Sequence, residues 1–246
     1  MQVRKLSAIS STNDYLKVLL TQTELENFAV VVADYQDAGK GQGANIWHSE
    51  KGKNLLFSIL VKFNDLPIYK SAYLNFAIAI GIFQILNQYL PKVKIKWPND
   101  IMADDKKICG ILIENTIRSS KIKHSIIGVG LNVNQIDFPF ELSNATSFTK
   151  LLKKEFDKEL LLEKIIASIK NQINLLNYKN LEALKFTYEN FLYRKGSSFS
   201  FSYSNGESFL GTILGVSEMG LLRIEFSDGS IKEFANKELI FNISKQ

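Results

Sequence analysis

Apolar side chains recur at helical spacing over residues 13–20 (Tyr15, Leu16, Leu19, Leu20), and Ser10-Ser11-Thr12-Asn13 supplies N-cap candidates for that helix. Phe28 to Ala33 is a short β-branched apolar run and reads as a buried strand. Residues 36–54, rich in Gly, Lys, Asn and Ser, read as a loop, and Leu55 to Val61 as a second strand. The pattern predicts a buried helix over 70–90, ending before Pro91. Val93-Lys94-Ile95-Lys96-Trp97 then alternates like a strand with one wet face, and Pro98 stops it. Two further strands are predicted at Ile108–Glu114 and Lys123–Val133, before a helical stretch over 151–193 carried by Leu151, Phe156, Leu160, Ile165, Ile169 and Ile173.

After Arg194-Lys195-Gly196 the period changes. Residues 197–243 are short alternating segments cut by Asn205-Gly206, Met219-Gly220 and Asp228-Gly229, a spacing of turns that predicts a small β-barrel of about five strands. The expected architecture is α+β: a mixed sheet with helices packed on it over 1–195, and a small β-barrel over 196–246.

Composition adds few constraints. With 46% hydrophobic and 22% charged residues the chain can bury a real core and carries no signature of disorder. Cys109 is the single cysteine, so no intramolecular disulfide forms; together with an amino terminus that lacks a signal-peptide run, this favours a cytoplasmic location. The most apolar stretch, Tyr73 to Leu86, is interrupted by Asn75 and Gln84 and reads as too short to span a bilayer. The net charge is +5. Its lysines are interleaved with acids, as in Lys153-Lys154-Glu155, which reads as a solvated helix surface rather than a nucleic-acid stripe.

Three segments carry candidate chemistry. In Gln36-Asp37-Ala38-Gly39-Lys40-Gly41-Gln42-Gly43, glycines at alternate positions let backbone N–H groups approach an anion, and Lys40 adds charge; a mobile surface loop has the same composition. Lys96-Trp97-Pro98-Asn99-Asp100 gathers an amide and a carboxylate at a strand end, with Lys107 and Gly110 following; an exposed strand lysine and an Asx turn are the plainer reading. In Ile127-Gly128-Val129-Gly130-Leu131-Asn132, alternate glycines bare one strand face for a ligand or another backbone, with Asn132 on that same face; a bulged strand reads alike. Cys109 reads as a packing residue, and His48 and His124 are isolated, without metal-ligand spacing.

Together and in this order, the segments resemble the biotin–protein ligase family. The match runs from Ser11-Thr12-Asn13 through Gln36, Gly39-Lys40-Gly41 and Trp47 to Lys96-Trp97-Pro98-Asn99-Asp100, Lys107, Gly110 and Gly128-x-Gly130-x-Asn132. The resemblance implies a catalytic domain of the class II aminoacyl-tRNA synthetase and biotin ligase type, followed by an SH3-like barrel. It implies ATP-dependent activation of biotin to biotinyl-5′-AMP with Mg²⁺, then transfer to a lysine of a biotin carboxyl carrier domain. By this similarity Lys107 and Lys40 are the catalytic cations. Ser11, Thr12, Asn13, Gln36, Gly39, Lys40, Gly41, Gln42, Lys107 and Gly110 would bind biotin. Trp47, Lys96, Asn99, Asp100 and Asn132 would hold the nucleotide, with Asp100 on the magnesium.

Two departures stand out. Many family members read Gly-Arg-Gly-Arg where this chain has Gly39-Lys40-Gly41-Gln42, so a weaker hold on the adenylate is expected. The catalytic motif begins by Ser11, so no helix-turn-helix domain and no specific DNA binding are expected. Relatives occur as monomers and homodimers, and both remain open. Two rivals also stand: a lipoate–protein ligase, and a non-enzymatic module binding through the C-terminal barrel.

Overall fold

The computed structural model describes residues 2–43, 45–177 and 180–243; positions 1, 44, 178–179 and 244–246, which fall within the two expected domains, lie outside the described residues. In chain order the elements begin with β1 (Val3–Leu6), α1 (Thr12–Gln22), β2 (Val30–Ala33), β3 (Leu55–Pro67) and α2 (Ser71–Leu86). Next come β4 (Val93–Lys96), β5 (Asp100–Ala103), β6 (Lys106–Arg118), β7 (Lys121–Leu131) and α3 (Phe148–Leu152). The remainder are α4 (Lys158–Asn174), α5 (Leu181–Asn190), β8 (Ser198–Tyr203), β9 (Ser208–Val216), β10 (Leu222–Glu225), β11 (Ile231–Phe234) and β12 (Leu239–Phe241). The chain divides into two compact units, Met1–Ile68 with Asp105–Lys164, and Tyr69–Asp104 with Ile165–Gln246.

The first unit is built on strands in the order β1-β2-β3-β7-β6. β1 pairs parallel with β2 and every other neighbour is antiparallel, so the sheet is mixed as expected. Helix α1 starts where the hydroxyl cluster predicts: Ser11 is extended and its Oγ accepts from the Asp14 N–H. Its apolar stripe, Leu16 and Leu19, packs on Val31, Leu60 and Ile126 of the sheet. Strand alternation fixes what else lies on that face. Ser58 pairs with Gly128, and Gly130 with both Leu56 and Gly110, so Ser58, Gly128, Gly130, Gly110, Leu112 and Glu114 all point toward α1 and the loop after β2. β6 runs beyond its predicted limits at both ends, while β7 starts two residues early and stops at Leu131, short of Val133; the two turn at Ser119-Ser120, both at positive φ (51° and 58°), as a two-residue type I′ hairpin requires.

In the second unit α2 buries every residue from Tyr73 to Leu86 except the half-buried Asn75 and the exposed Gln84. With the short 3₁₀ turn before it, the stretch Ile68–Leu86 has 19 residues, so length does not exclude a span, contrary to the expectation from Tyr73–Leu86 alone; 61% of its most apolar window is buried in the protein. It packs on α5 through Phe76–Tyr188, with ring centroids 4.3 Å apart, and its Gly81 lets the backbone of Ile169 close to within about 3 Å of where a Cβ would stand. β4 and β5 form an antiparallel pair. The strand β5 was not anticipated: Asn99-Asp100 reads as a bare turn, yet Ile101, Met102 and Ala103 are apolar and fully buried. The C-terminal strands form a five-stranded antiparallel sheet in the order β11-β10-β9-β8-β12, consistent with an SH3-like domain. Gly206, Gly220 and Gly229 sit at φ of 90°, 81° and 80°, which explains the Xaa-Gly turn signals. Its core is aliphatic and aromatic (Ile213, Val216, Leu222, Ile224, Phe201, Phe234), and a half-buried Phe209 stacks against Phe201, Phe226 and Phe234 beside it.

Candidate active site

The residues expected to meet biotin gather at the start of α1 in the first unit. Ser11, Thr12 and Asn13 are buried, held between the sheet and the loop after β2. The Gln36 Oε1 accepts from the Thr12 backbone N–H at 2.7 Å and lies 3.0 Å from the Thr12 hydroxyl. Ser58 Oγ lies 2.7 Å from the Thr12 hydroxyl and 2.5 Å from Asn13 Oδ1. Asn13 Nδ2 donates to Glu114 at 2.7 Å, and Lys17 donates to the other Glu114 oxygen at 2.6 Å. A Cβ on Gly128 would stand 2.5 Å from Asn13 Oδ1, so that glycine makes room for the Asn13 amide.

The glycine loop is more ordered than its composition suggests. Trp47 N–H donates to Gly39 O at 2.8 Å and Gly41 N–H to Asn45 O at 2.7 Å, so Gly39–Gly41 and Asn45–Trp47 pair as the two arms of a small hairpin. Gly39 is required there because a Cβ would lie 2.5 Å from Trp47 O. Lys40 reaches back to Asp14 at 2.6 Å. Burial alone would raise the Asp14 carboxyl, but the hydrogen bond and charge of Lys40, with help from Lys17, hold it below the ordinary carboxylate value. For Lys17, burial pulls the ammonium down, and the Glu114 carboxylate followed by Asp14 more than restores it, leaving it above the ordinary lysine value. A cavity of about 450 Å³ opens between this hairpin and the side chains of Leu112 and Glu114; a second, of about 360 Å³, is lined by Gln36, Trp47, Ser49 and Gln135.

Trp47 decides what the bare strand faces are for. Its indole lies on Gly130 and Gly110: a Cβ on Gly130 would run into the ring, and one on Gly110 would stand 2.8 Å from Cζ3. The space left by the alternate glycines is thus filled by the protein's own indole and, at Gly128, by Asn13, rather than standing open. Lys107 Nζ lies 5.5 Å from the indole centroid, a cation–π distance. The lysine's backbone is fixed on both sides, its N–H donating to Asn144 O and its carbonyl accepting from Thr146 N–H. Asn132 donates from Nδ2 to Thr146 O at 3.0 Å. Among the described residues, its Oδ1 and the Trp47 Nε1 are buried without a hydrogen-bond partner.

Lys96, Asn99 and Asp100 lie in the second unit, at the corner between β4 and β5. Lys96 Nζ is 3.8 Å from Asp100 and 5.0 Å from the Phe241 ring centroid. The corner is tied on three sides. Trp97 Nε1 donates to Gly220 O at 2.8 Å, while Asn75 Nδ2 and the Tyr188 hydroxyl donate to Pro98 O at 2.7 and 3.3 Å. Tyr188 is fully buried, and burial, then the Asp100 charge, push its hydroxyl well above the ordinary value, so it stays a donor.

The model of the biotin/lipoate A/B protein ligase family matches residues 6–132, more than half of the chain. The chain belongs to the biotin/lipoate A/B protein ligase family. It is 30% identical over 210 residues to the bifunctional ligase/repressor BirA of Bacillus subtilis, covering 84% of this chain and 64% of that protein. It is 25% identical over 178 residues to the biotin–[acetyl-CoA-carboxylase] ligase of Mycobacterium tuberculosis, covering 70% of this chain and 64% of that one. Among solved structures, the biotin protein ligase from Aquifex aeolicus in complex with biotin and ATP superposes with a TM-score of 0.80 at 26% identity, over 99% of both chains. The match thus spans 64% of each of these two curated relatives, a little less than two thirds, and nearly the whole of that solved structure.

Asp14, Lys17, Ser58 and Glu114 escape a reading of the sequence alone. Two of them leave a trace. Lys17 stands one helical turn after Asn13, and Glu114 shares the strand face of Gly110 by the period of two. Ser58 leaves none, because its place opposite Gly128 depends on strand pairing.

Proposed function

We propose that the protein is a biotin–protein ligase that activates biotin with ATP and passes the biotinyl group to a lysine of a biotin carboxyl carrier domain. The observation that carries this reading is the adjacency, in one unit, of a polar cluster with an amide (Thr12, Gln36) and a cation beside a tryptophan on bare backbone (Lys107, Trp47, Gly110, Gly130). The first suits a cyclic urea, which needs both donors and acceptors. The second suits the meeting of two anions, the biotin carboxylate and the α-phosphate. One oxygen of the carboxylate bonds to the α-phosphorus as the bond to the departing pyrophosphate breaks. The Lys107 ammonium offsets the repulsion between them and the charge that builds on the phosphoryl oxygens. The acceptor amine then bonds to the acyl carbon, AMP leaves, and the amine loses a proton. Trp47 covers the reacting group and keeps water from the anhydride.

Lys40, Gly39, Gly41, Gln42 and Ser11 line or support the biotin end in this reading, and Asn132, Lys96, Asn99 and Asp100 the nucleotide. By the family resemblance Asp100, which lies 3.8 Å from Lys96, is the carboxylate that would hold magnesium, a hard cation that would neutralise phosphate charge when bound. The relative named for acetyl-CoA carboxylase supports a carboxylase as the source of the acceptor.

The test is isotope exchange of pyrophosphate into ATP by the purified protein, with biotin and lipoate supplied separately. Exchange with biotin is expected. Exchange with lipoate alone would transfer the mechanism to another substrate, and exchange with neither would remove the enzyme reading.

A further inference from the structure

The polar cluster behind Gln36 is one proton short. The Glu114 carboxylate pairs with Lys17 at 2.6 Å and accepts hydrogen bonds only, so Asn13 must turn its NH₂ to Glu114 and its carbonyl to Ser58, as the structure has it. Gln36 likewise turns its carbonyl to Thr12, because the Thr12 backbone N–H donates to it. Between these two carbonyls stand two hydroxyls and three contacts: Asn13–Ser58 at 2.5 Å, Ser58–Thr12 at 2.7 Å and Thr12–Gln36 at 3.0 Å. Two hydroxyl protons cannot fill three contacts. The shortest contact takes the Ser58 proton; the Thr12 proton then fills the next, and the longest, at Gln36, is left as two facing acceptors. Gln36 lines the cavity of about 360 Å³, so the missing proton can come from a bound molecule.

We propose that Glu114 is a positioning residue that sets the hydrogen-bond polarity of this cluster, so that the Thr12–Gln36 end demands an N–H donor from the ligand. A cyclic urea brings two such N–H groups, whereas a dithiolane ring has none, so Glu114 acts through Asn13, Ser58 and Thr12 to favour biotin over lipoate. The inference rests on the biotin-ligase reading above and names how that site selects its ring. It also explains why a carboxylate, rather than an amide of the same shape, stands at position 114. With Gln there, the Gln NH₂ can face Asn13 and let the Asn13 amide invert. Three protons then fill the three contacts, and the call for a ligand donor is lost.

The experiment measures biotin-dependent pyrophosphate exchange, biotin binding by calorimetry without ATP, and thermal melting, for wild type, Glu114→Gln, Ser58→Ala and the double variant. Glu114→Gln is expected to raise the biotin KM about 10- to 100-fold, with kcat at saturating biotin within about threefold and a larger share of exchange with lipoate. Ser58→Ala frees the Thr12 proton for Gln36, so it should cost biotin binding comparably, and the double variant should lose little more than either. A folded Glu114→Gln protein with biotin KM within about twofold of wild type overturns the proposal. If that variant does not fold, an unchanged biotin KM in Ser58→Ala overturns it instead. Wild-type protein inert toward biotin would overturn the underlying reading, whereas an active wild type with indifferent variants overturns this inference alone.

Discussion

Gly130→Ala isolates the role of the bare strand face. The new methyl would stand 2.7 Å from Cδ2 and Nε1 of Trp47, where ordinary carbon contacts are about 3.5–4.0 Å. The indole cannot slide sideways to avoid it, because Gly110 offers its neighbouring patch only while the ring lies flat, with Cζ3 2.8 Å from a Cβ there. The ring must therefore lift by about 1 Å, and displacement of that size at a reacting centre costs about a hundredfold in rate. Overpacking adds about 1–3 kcal/mol of destabilisation, less where the half-buried ring can swing toward solvent. The assay is biotin-dependent pyrophosphate exchange in a double-mutant cycle with Trp47→Ala. Alone, Gly130→Ala should cut the rate about a hundredfold; with Trp47 already removed, the methyl meets nothing and should cost less than about threefold further. Equal losses in both backgrounds would refute the reasoning, since the glycine would then act on something other than the indole.

Three other perturbations follow from the geometry. Asp14 sits below the ordinary carboxylate value, so its pairing with Lys40 stabilises the fold above pH 3.8 and is lost as pH falls through the depressed value; the raised Lys17 acts oppositely, stabilising below pH 10.5 and fading as pH climbs past it. Unfolding free energies of wild type and Asp14→Asn, measured in urea, should differ by about 1 kcal/mol or less near neutrality, both groups being partly solvated, and converge in acid; a gap that widens in acid contradicts the assignment. Trp97→Phe removes the hydrogen bond to Gly220 O and should cost about 1–3 kcal/mol by urea unfolding, against less than 0.5 kcal/mol, roughly a surface change, if that bond is incidental. Gln42→Arg adds a charge beside the hairpin and should slow release of biotinyl-5′-AMP about tenfold in a chase experiment; an unchanged off-rate removes any role for position 42 in retention.

The sequence carried the elements better than it carried the site. Helix α1, the strands β2, β3, β6 and β7 and the C-terminal turns are written in local signals: Ser11 as a cap, apolar period, and glycines at positive φ. β5 was missed because Asn99-Asp100 carries a strong turn signal and only three apolar residues follow, too short a run to outweigh it. The division into compact units is also not a local property, since α2 and the β4–β5 corner are claimed by residues far along the chain, Tyr188 and Gly220. The candidate site divides the same way. Thr12, Asn13, Gln36 and Lys107 can be named from motifs, because each motif is contiguous. What those residues do to one another depends on which strand lies beside which.

The alternate glycines make the point most sharply. From sequence, Gly128 and Gly130 mark a face with no side chains, and a ligand lying flat on it is the natural occupant. In the structure the two glycines serve different tenants, Asn13 at one and Trp47 at the other. Those tenants hold the two halves of the proposed chemistry apart, the proton-poor amide cluster on one side and the indole beside Lys107 on the other. A single strand, β7, therefore sets the spacing between the ring that is recognised and the carboxylate that reacts. The rise of about 3.4 Å per residue puts Gly128 and Gly130 about 7 Å apart, a separation that the short chain between biotin's ring and its carboxylate can bridge.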